Sequence, residues 1–239
     1  MKIIGQFNLG FILASKAPEA TTENGGIQTA DNIFIIDQHS SDEKYNFERL
    51  QATTIVQSQR LAYPKTLSLT ALEEEIVAEN LDILEQNGFI LTIDPSSRDV
   101  GRRCQLVSLP VSRETTFSLN DLEELIALLA ESGGRGGMVR PSKVRKMFAM
   151  RACRSSIMIG KTLTRTQMER VVRHMGEIEQ PWNCPHGRPT MRDIFAGWGC
   201  GMGRARARAR VGRGIWVGAG LEGGARIGSG YVRGKRGVE

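Results

Sequence analysis

Apolar residues alternate or cluster in short runs over the first forty positions, and in helical steps after that. Residues 6–14 (QFNLGFILA) and 32–38 (NIFIIDQ) have the Phe, Ile and Leu content of strands. The polar stretch 16–31, with Glu23-Asn24-Gly25-Gly26, predicts a loop or wide hairpin between them. Ser40 and Ser41 offer helix N-caps with acids behind them, and Tyr45, Phe47 and Leu50 carry a helix over about 41–53. Asp37 then ends a strand, where α/β folds place ligands, and His39 and Glu43 lie where strand becomes helix.

A second block begins near residue 55. A short strand is expected at 66–69 (TLSL). Thr70 and Glu73 form a capping box, and Leu72, Ile76, Ile83 and Leu84 mark one helix face ending at Gly88. Strands are expected at 89–93 and 103–111, and an amphipathic helix at 118–131 through Leu122, Leu125, Ile126 and Leu129. Residues 132–137 are a Gly-rich loop, and Pro141 starts a helix with Val144, Met147 and Phe148. Thr164 and Gln167 box a last helix, with Met168, Val171, Val172 and Met175 on one face. Residues 181–190 (PWNCPHGRPT) are irregular and Pro-rich.

Composition adds bounds. The chain has 239 residues, enough for a buried core, and 40% apolar content, as in ordinary globular proteins. No apolar run approaches the ~20 residues that span a bilayer, so no membrane role is expected. The N-terminus lacks a signal-peptide pattern, which predicts an intracellular protein. The net charge of +6 is unevenly placed. Residues 199–239 carry eight Arg, one Lys and two Glu, a net +7, whereas the preceding 198 residues hold 23 basic and 24 acidic side chains. The body is therefore nearly neutral. The tail also holds 13 of the 27 glycines and alternates Arg with Ala from Arg204 to Arg210, a composition expected to be disordered. It reads either as a basic nucleic-acid-binding tail or as sequence without a specific role.

Three pieces carry candidate chemistry. His39 and Glu43, four apart, share a helix face and can meet one ion, with Asp37 just upstream; the same spacing also describes a solvated helix surface. Cys184-Pro185-His186 offers thiolate and imidazole in a Pro-rich loop, as zinc requires, or a buried Cys beside a surface His. Cys153 suits either a ligand or a helix core. Together they suggest one metal centre assembled from distant segments.

Four motifs, in order, resemble the C-terminal domain of MutL-type mismatch-repair proteins, in the post-meiotic-segregation branch that supplies the nicking subunit of the eukaryotic MutL-alpha heterodimer. Gln6-Phe7-Asn8-Leu9-Gly10-Phe11 resembles that family's opening strand. Asp37 to Glu48 (DQHSSDEKYNFE) resembles its endonuclease motif, with Ser40 in place of the usual Ala. Arg151-Ala152-Cys153-Arg154 and Cys184-Pro185-His186-Gly187-Arg188-Pro189 resemble two further motifs, and the likeness runs from about Ile4 to Ile194. The resemblance implies DNA mismatch repair in the nucleus by a metal-dependent endonuclease acting on double-stranded DNA. It implies Asp37, His39, Glu43, Cys153, Cys184 and His186 as metal ligands, with Asp37 and Glu43 catalytic. Zn2+ would be structural or regulatory, and Mn2+ or Mg2+ would serve catalysis. Glu48 matches the motif's last acid. Gln59-Arg60-Leu61-Ala62-Tyr63-Pro64 resembles the family's sliding-clamp-binding motif through Gln59, Leu61 and Pro64, and reads equally as a strand lead-in closed by Pro64.

The fold implied is α/β (α+β) with two subdomains. Residues 1–57 and 140–198 would form the dimerisation and endonuclease subdomain, 58–139 an inserted regulatory subdomain, and 199–239 a tail. The partner implied is a MutL-homologue subunit. The Gly-rich motifs of the family's N-terminal ATPase domain are not found, so ATP control is not expected of this chain. A catalytically silent, zinc-stabilised dimerisation module is the alternative function.

Overall fold

The computed structural model describes residues 1–17, 32–94, 99–133 and 137–195. Most of the expected polar loop at 16–31, part of the Gly-rich loop, and the whole of 199–239 lie outside these residues. Within these residues, two antiparallel sheets and six helices make an α+β architecture.

The first sheet has the order β1 (Lys2–Phe7), β2 (Phe11–Lys16), β3 (Asn32–Asp37), β7 (Met191–Phe195). The apolar run at 6–14 is thus not one strand. Asn8 and Leu9 both take left-handed backbone angles, φ 48° and 47°, and fold the run into a β1–β2 hairpin. Such a two-residue turn matches the right-handed twist of its strands, and Asn tolerates that conformation better than most residues. Ile3, Ile12, Ala14 and Ile36 pack under α6 (Arg165–Gly176), which answers with Met168, Val171, Val172 and Met175. Full burial of each such aliphatic side chain contributes about 1.5–3 kcal/mol. β7, which the Pro-rich stretch masked in the sequence, pairs with β3 from Met191 onward.

The second sheet has the order β4 (Ser58–Thr66), β6 (Cys104–Pro110), β5 (Ile90–Ile93). The strand expected at 66–69 lies earlier and extends through Pro64. A register shift between Arg60 and Lys65 lifts residues 61–64 out of the ladder, so Pro64 has no sheet bond to break. The single helix expected after Thr70 is two, α2 (Ala71–Glu79) and α3 (Leu81–Gln86), divided at Asn80. Leu72, in the first turn of α2, points outward and is 66% exposed. Gly88, at φ 85°, ends α3 in the left-handed conformation that favours glycine, as its sequence position predicts. These helices and α4 (Leu119–Ser132) enclose Val77, Leu84, Phe89, Leu106, Leu122 and Leu125.

Between the sheets, α1 (Gln38–Thr53) packs on α5 (Ser142–Ser155) and α6, burying Phe47, Val144, Met147 and Phe148. Pro141 is the N-cap of α5 rather than its first helical residue. Arg140, just before it, is buried with its guanidinium aimed at the ends of two other helices. It donates to the Gln51 and Thr54 carbonyls at the C-terminal end of α1, to the Gln86 carbonyl of α3 at 2.8 Å, and to Asn87 Oδ1. One cation thus satisfies carbonyls that helix termini leave without partners.

Candidate metal centre

Helix α1 starts three residues earlier than Ser41. Its N-cap is Asp37, whose carboxylate accepts from Ser40 N–H at 2.8 Å. Ser40 and Ser41 are therefore buried inside the first turn instead of capping it. The early start follows from β3 running straight into the helix. Because every strand pair is antiparallel, the crevice of a parallel sheet plays no part in placing Asp37.

Starting at Gln38 puts His39 and Glu43 one turn apart and facing α5. His39 Nδ1 lies 2.9 Å from the Ile157 carbonyl. A carbonyl can only accept, so Nδ1 carries the proton and Nε2 presents its lone pair. That Nε2 is 3.7 Å from Cys153 Sγ, on the last turn of α5.

The other half comes from the segment before β7. Residues 181–190 form a narrow loop closed by an Asn183–Pro189 bridge and by Cys184 N–H to the Arg188 carbonyl at 2.9 Å. Gly187, at φ 82°, makes the turn that sets Cys184 and His186 side by side. The loop is tied to the β3–α1 junction through Thr190, whose carbonyl accepts from Asp37 N–H at 2.8 Å and from Ser41 Oγ at 3.2 Å.

These parts meet at Glu43, 1% exposed. His186 Nδ1 is 2.7 Å from Glu43 Oε1. The donor atoms of His39, Glu43 and Cys153 lie within 4.8 Å of one another, as do those of Glu43, Cys184 and His186. Burial and then the Glu43 carboxylate beside them push both the Cys153 and Cys184 thiols above the usual thiol range. A buried carboxylate ringed by two thiols and two imidazoles is a set of anionic and lone-pair donors that a cation would stabilise. Around a tetrahedral zinc ion, with bonds of about 2.3 Å to sulfur and about 2.0 Å to nitrogen, N and S sit about 3.5 Å apart. The His39–Cys153 separation is close to that, and the N, S and O donor set suits zinc. The residues present therefore fit a metal.

Five of the six expected ligands are brought together. Asp37 belongs to neither donor group; it is half-buried and its Oδ1 serves as the helix cap. Glu48 pairs with Lys44 one turn away. Cys104 is a core residue of the second sheet, and Cys200 lies outside the described residues. Gln59, Leu61 and Pro64 lie on β4, an edge strand. Leu61 turns partly into the second core while Gln59, Pro64 and the 85% exposed Tyr63 face outward.

Sequence reasoning assigned nothing to Gln38 and Asp42. Gln38 is fully buried and its amide donates to the carbonyls of Leu9, Met158 and Lys161, while Gln6 Nε2 donates to its Oε1 at 2.7 Å. Asp42 accepts from Ile157 N–H at 2.8 Å. The signal available was position alone: polar residues facing inward at 38 and 42, on the turn that carries His39.

A groove opens beside Cys184, Pro185 and His186 and follows α1 and α5, with Arg49, Arg145 and Lys146 along it and Glu177 and Glu179 at its other side. Among the described residues no helix is long and apolar enough to cross a membrane.

The family model for the MutL C terminal dimerisation domain matches residues 26–163. The DNA mismatch repair protein PMS1 of Saccharomyces cerevisiae is 50% identical over 195 residues, which is 81% of this chain and 21% of that protein. Mismatch repair endonuclease PMS2 of Homo sapiens is 50% identical over 194 residues, again 81% and 21%. DNA mismatch repair protein MutL of the bacterium Trichlorobacter lovleyi is 32% identical over 198 residues, 81% of this chain and 30% of that protein. The chain thus spans about a fifth of the length of its eukaryotic relatives. With the matched region running from β3 through α1, the whole second sheet and α5, the chain belongs to the MutL C-terminal dimerisation domain family.

Proposed function

We propose that this chain is a metal-dependent endonuclease domain that nicks one strand of double-stranded DNA in mismatch repair, as one subunit of a MutL-type heterodimer in the nucleus. The observation that carries this reading is the convergence of His39, Cys153, Cys184 and His186 on the buried Glu43 carboxylate. Relatives named as mismatch repair endonucleases support it. His39, Cys153, Cys184 and His186 would hold Zn2+, with Glu43 between them, and Asp37 would take part with Mn2+ or Mg2+. Bound metal would supply Lewis-acid activation of water and charge neutralisation at the phosphate. His186, with a side chain 46% exposed, borders solvent, whereas His39 and Glu43 are shielded, so a phosphodiester would approach from the His186 side.

The basic side chains Arg49, Arg145 and Lys146 in the adjoining groove support a DNA backbone as the ligand. For the partner subunit, the support is the first sheet's outer face. Leu13 and Ile35 are paired there in register and only half-buried, and Ile4 and Phe7 on the edge strand are exposed. The division into residues 1–57 plus 140–198 and an inserted 58–139 is proposed as the functional one, with the bulged β4 edge offering Gln59, Leu61 and Pro64 to a sliding clamp.

A second reading is a zinc-stabilised dimerisation module without catalysis. It is favoured by one observation: Asp37 spends Oδ1 on the helix cap and stands outside both donor groups. Nicking of supercoiled plasmid with manganese separates the two. Wild type is expected to nick, D37N and E43K to lose nicking, and D37N to keep its zinc. Zinc binding by the wild type without nicking, in the presence of the partner subunit, would select the module; nicking by both variants would reject the assigned roles.

A further inference from the structure

Ile157 is held at both of its backbone polar groups by α1. Its carbonyl accepts from His39 Nδ1–H at 2.9 Å, and its N–H donates to Asp42 Oδ2 at 2.8 Å. Asp42 and His39 are three residues apart on α1, so they clasp the two peptide groups that flank the Ile157 Cα from adjacent positions of one turn. The clasp is braced further. Asn46, one turn on, donates to Asp42 Oδ2 at 3.4 Å and to Ser156 Oγ at 3.1 Å, while Ser156 Oγ donates to the Ala152 carbonyl at 2.6 Å at the end of α5. These bonds fix where the chain leaves α5, one turn after Cys153, and therefore where the Ile157 carbonyl points.

We infer that Asp42 is a positioning residue for the metal centre: by anchoring the Ile157 backbone it holds His39 in the Nδ1–H tautomer with Nε2 turned toward Cys153. In many metal sites a ligating histidine donates directly to a carboxylate or carbonyl, which sets its tautomer and ring angle. Here the carboxylate stands one peptide unit further out. Anchoring the Ile157 N–H fixes the position of that residue, and with it the direction of its carbonyl one peptide group on. Asp42 thus aims the acceptor that orients His39 without touching the metal. The inference rests on the metal reading of this site, and its test separates the two.

The first measurement needs no metal. In the metal-free full chain, long-range proton–nitrogen NMR of 15N-histidine-labelled wild type should show His39 protonated at Nδ1; an Nε2–H tautomer there would overturn the inference whatever the variants do. In D42A, and in D42S should D42A fail to fold, the tautomer preference should be lost and Co2+ binding weakened by roughly 10–100-fold, the range for losing such outer partners. The Co2+ absorption should also change shape as one nitrogen donor slackens. D42N retains an oxygen for Ile157 N–H and should stay within about threefold of wild type. Wild-type Co2+ affinity and spectrum in D42A or D42S would overturn the role of Asp42 while leaving the metal centre standing. No Co2+ binding by the wild type would overturn the metal reading, and this inference with it.

Discussion

Arg140 offers the sharpest test of how the two sheets are held together. Its buried guanidinium bonds carbonyls at the ends of α1 and α3 and packs over the Phe148 ring, 5.3 Å from guanidinium carbon to centroid. α1 contacts the first sheet, and α3 belongs to the second core. In R140M the stem remains and the charge is lost. The carbonyls of Gln51, Thr54 and Gln86 would then lack this donor in a site that admits little water, at about 1–3 kcal/mol each. Relief from holding a cation out of water offsets part of that sum. Burial already pulls the Arg140 pKa below the usual guanidinium value, the sign of such a desolvation penalty. The net loss expected is about 3–5 kcal/mol, the cost of three such carbonyls less that relief. R140K keeps the charge but not the planar fork, and should lose about half as much. Urea unfolding with linear extrapolation measures both. A loss below about 1 kcal/mol in R140M, or none in R140K, would refute the claim that this fork joins the helix ends.

Three other outcomes are expected. S40A should raise stability by about 1 kcal/mol, because Ser40 Oγ is buried without a hydrogen-bond partner among the described residues and alanine removes that hydroxyl; a lower urea midpoint in S40A would show that the hydroxyl has found an acceptor. Zinc affinity should rise with pH, since binding must strip the protons from Cys153 and Cys184, whose pKa values lie above the ordinary thiol value. Competition against a chelator from pH 6 to 8 should show more than about a tenfold gain per unit, and a flat profile would exclude both thiols as ligands. The R145E/K146E pair should weaken DNA binding about equally for all sequences and shallow its salt dependence by about two contacts, because phosphate contacts release counterions; an unchanged salt slope would place the DNA elsewhere.

Much of the fold was legible because its helices carry local signals. The capping boxes at Thr70 and Thr164, the Gly88 stop and the Leu122–Leu129 face all act within one or two turns, and each appears as read. What was missed depended on pairing or on choice among caps. The strand at Met191–Phe195 has β3 as its partner, more than 150 residues away, and nothing nearby announces it. The hairpin at Asn8-Leu9 hid inside an apolar run because Leu9 takes a conformation that leucine seldom adopts. Asp37 outcompeted Ser40 and Ser41 as the cap because β3 delivers it to the helix start, leaving both serines to be buried. At the site, the residue types were readable and their union was not. His39 and Glu43 are one turn apart in any helix, but their meeting with Cys153, Cys184 and His186 is a product of tertiary packing.

That union also sets a clock. Cys153 lies 114 residues after His39, and His186 lies 143 after Glu43, with the entire second sheet in between. During synthesis, α1 emerges with a single imidazole and a carboxylate, a weak and unselective cation trap. The full donor set exists once residue 186 is out and the chain has closed back on itself through α5 and the 181–190 loop. A tightly held metal would then act as a clasp between the chain's early and late portions, gaining stability from the long loop it closes. Any cutting ability built on this centre is thereby withheld from nascent and truncated chains: the donor set is completed last, by the same event that completes the fold.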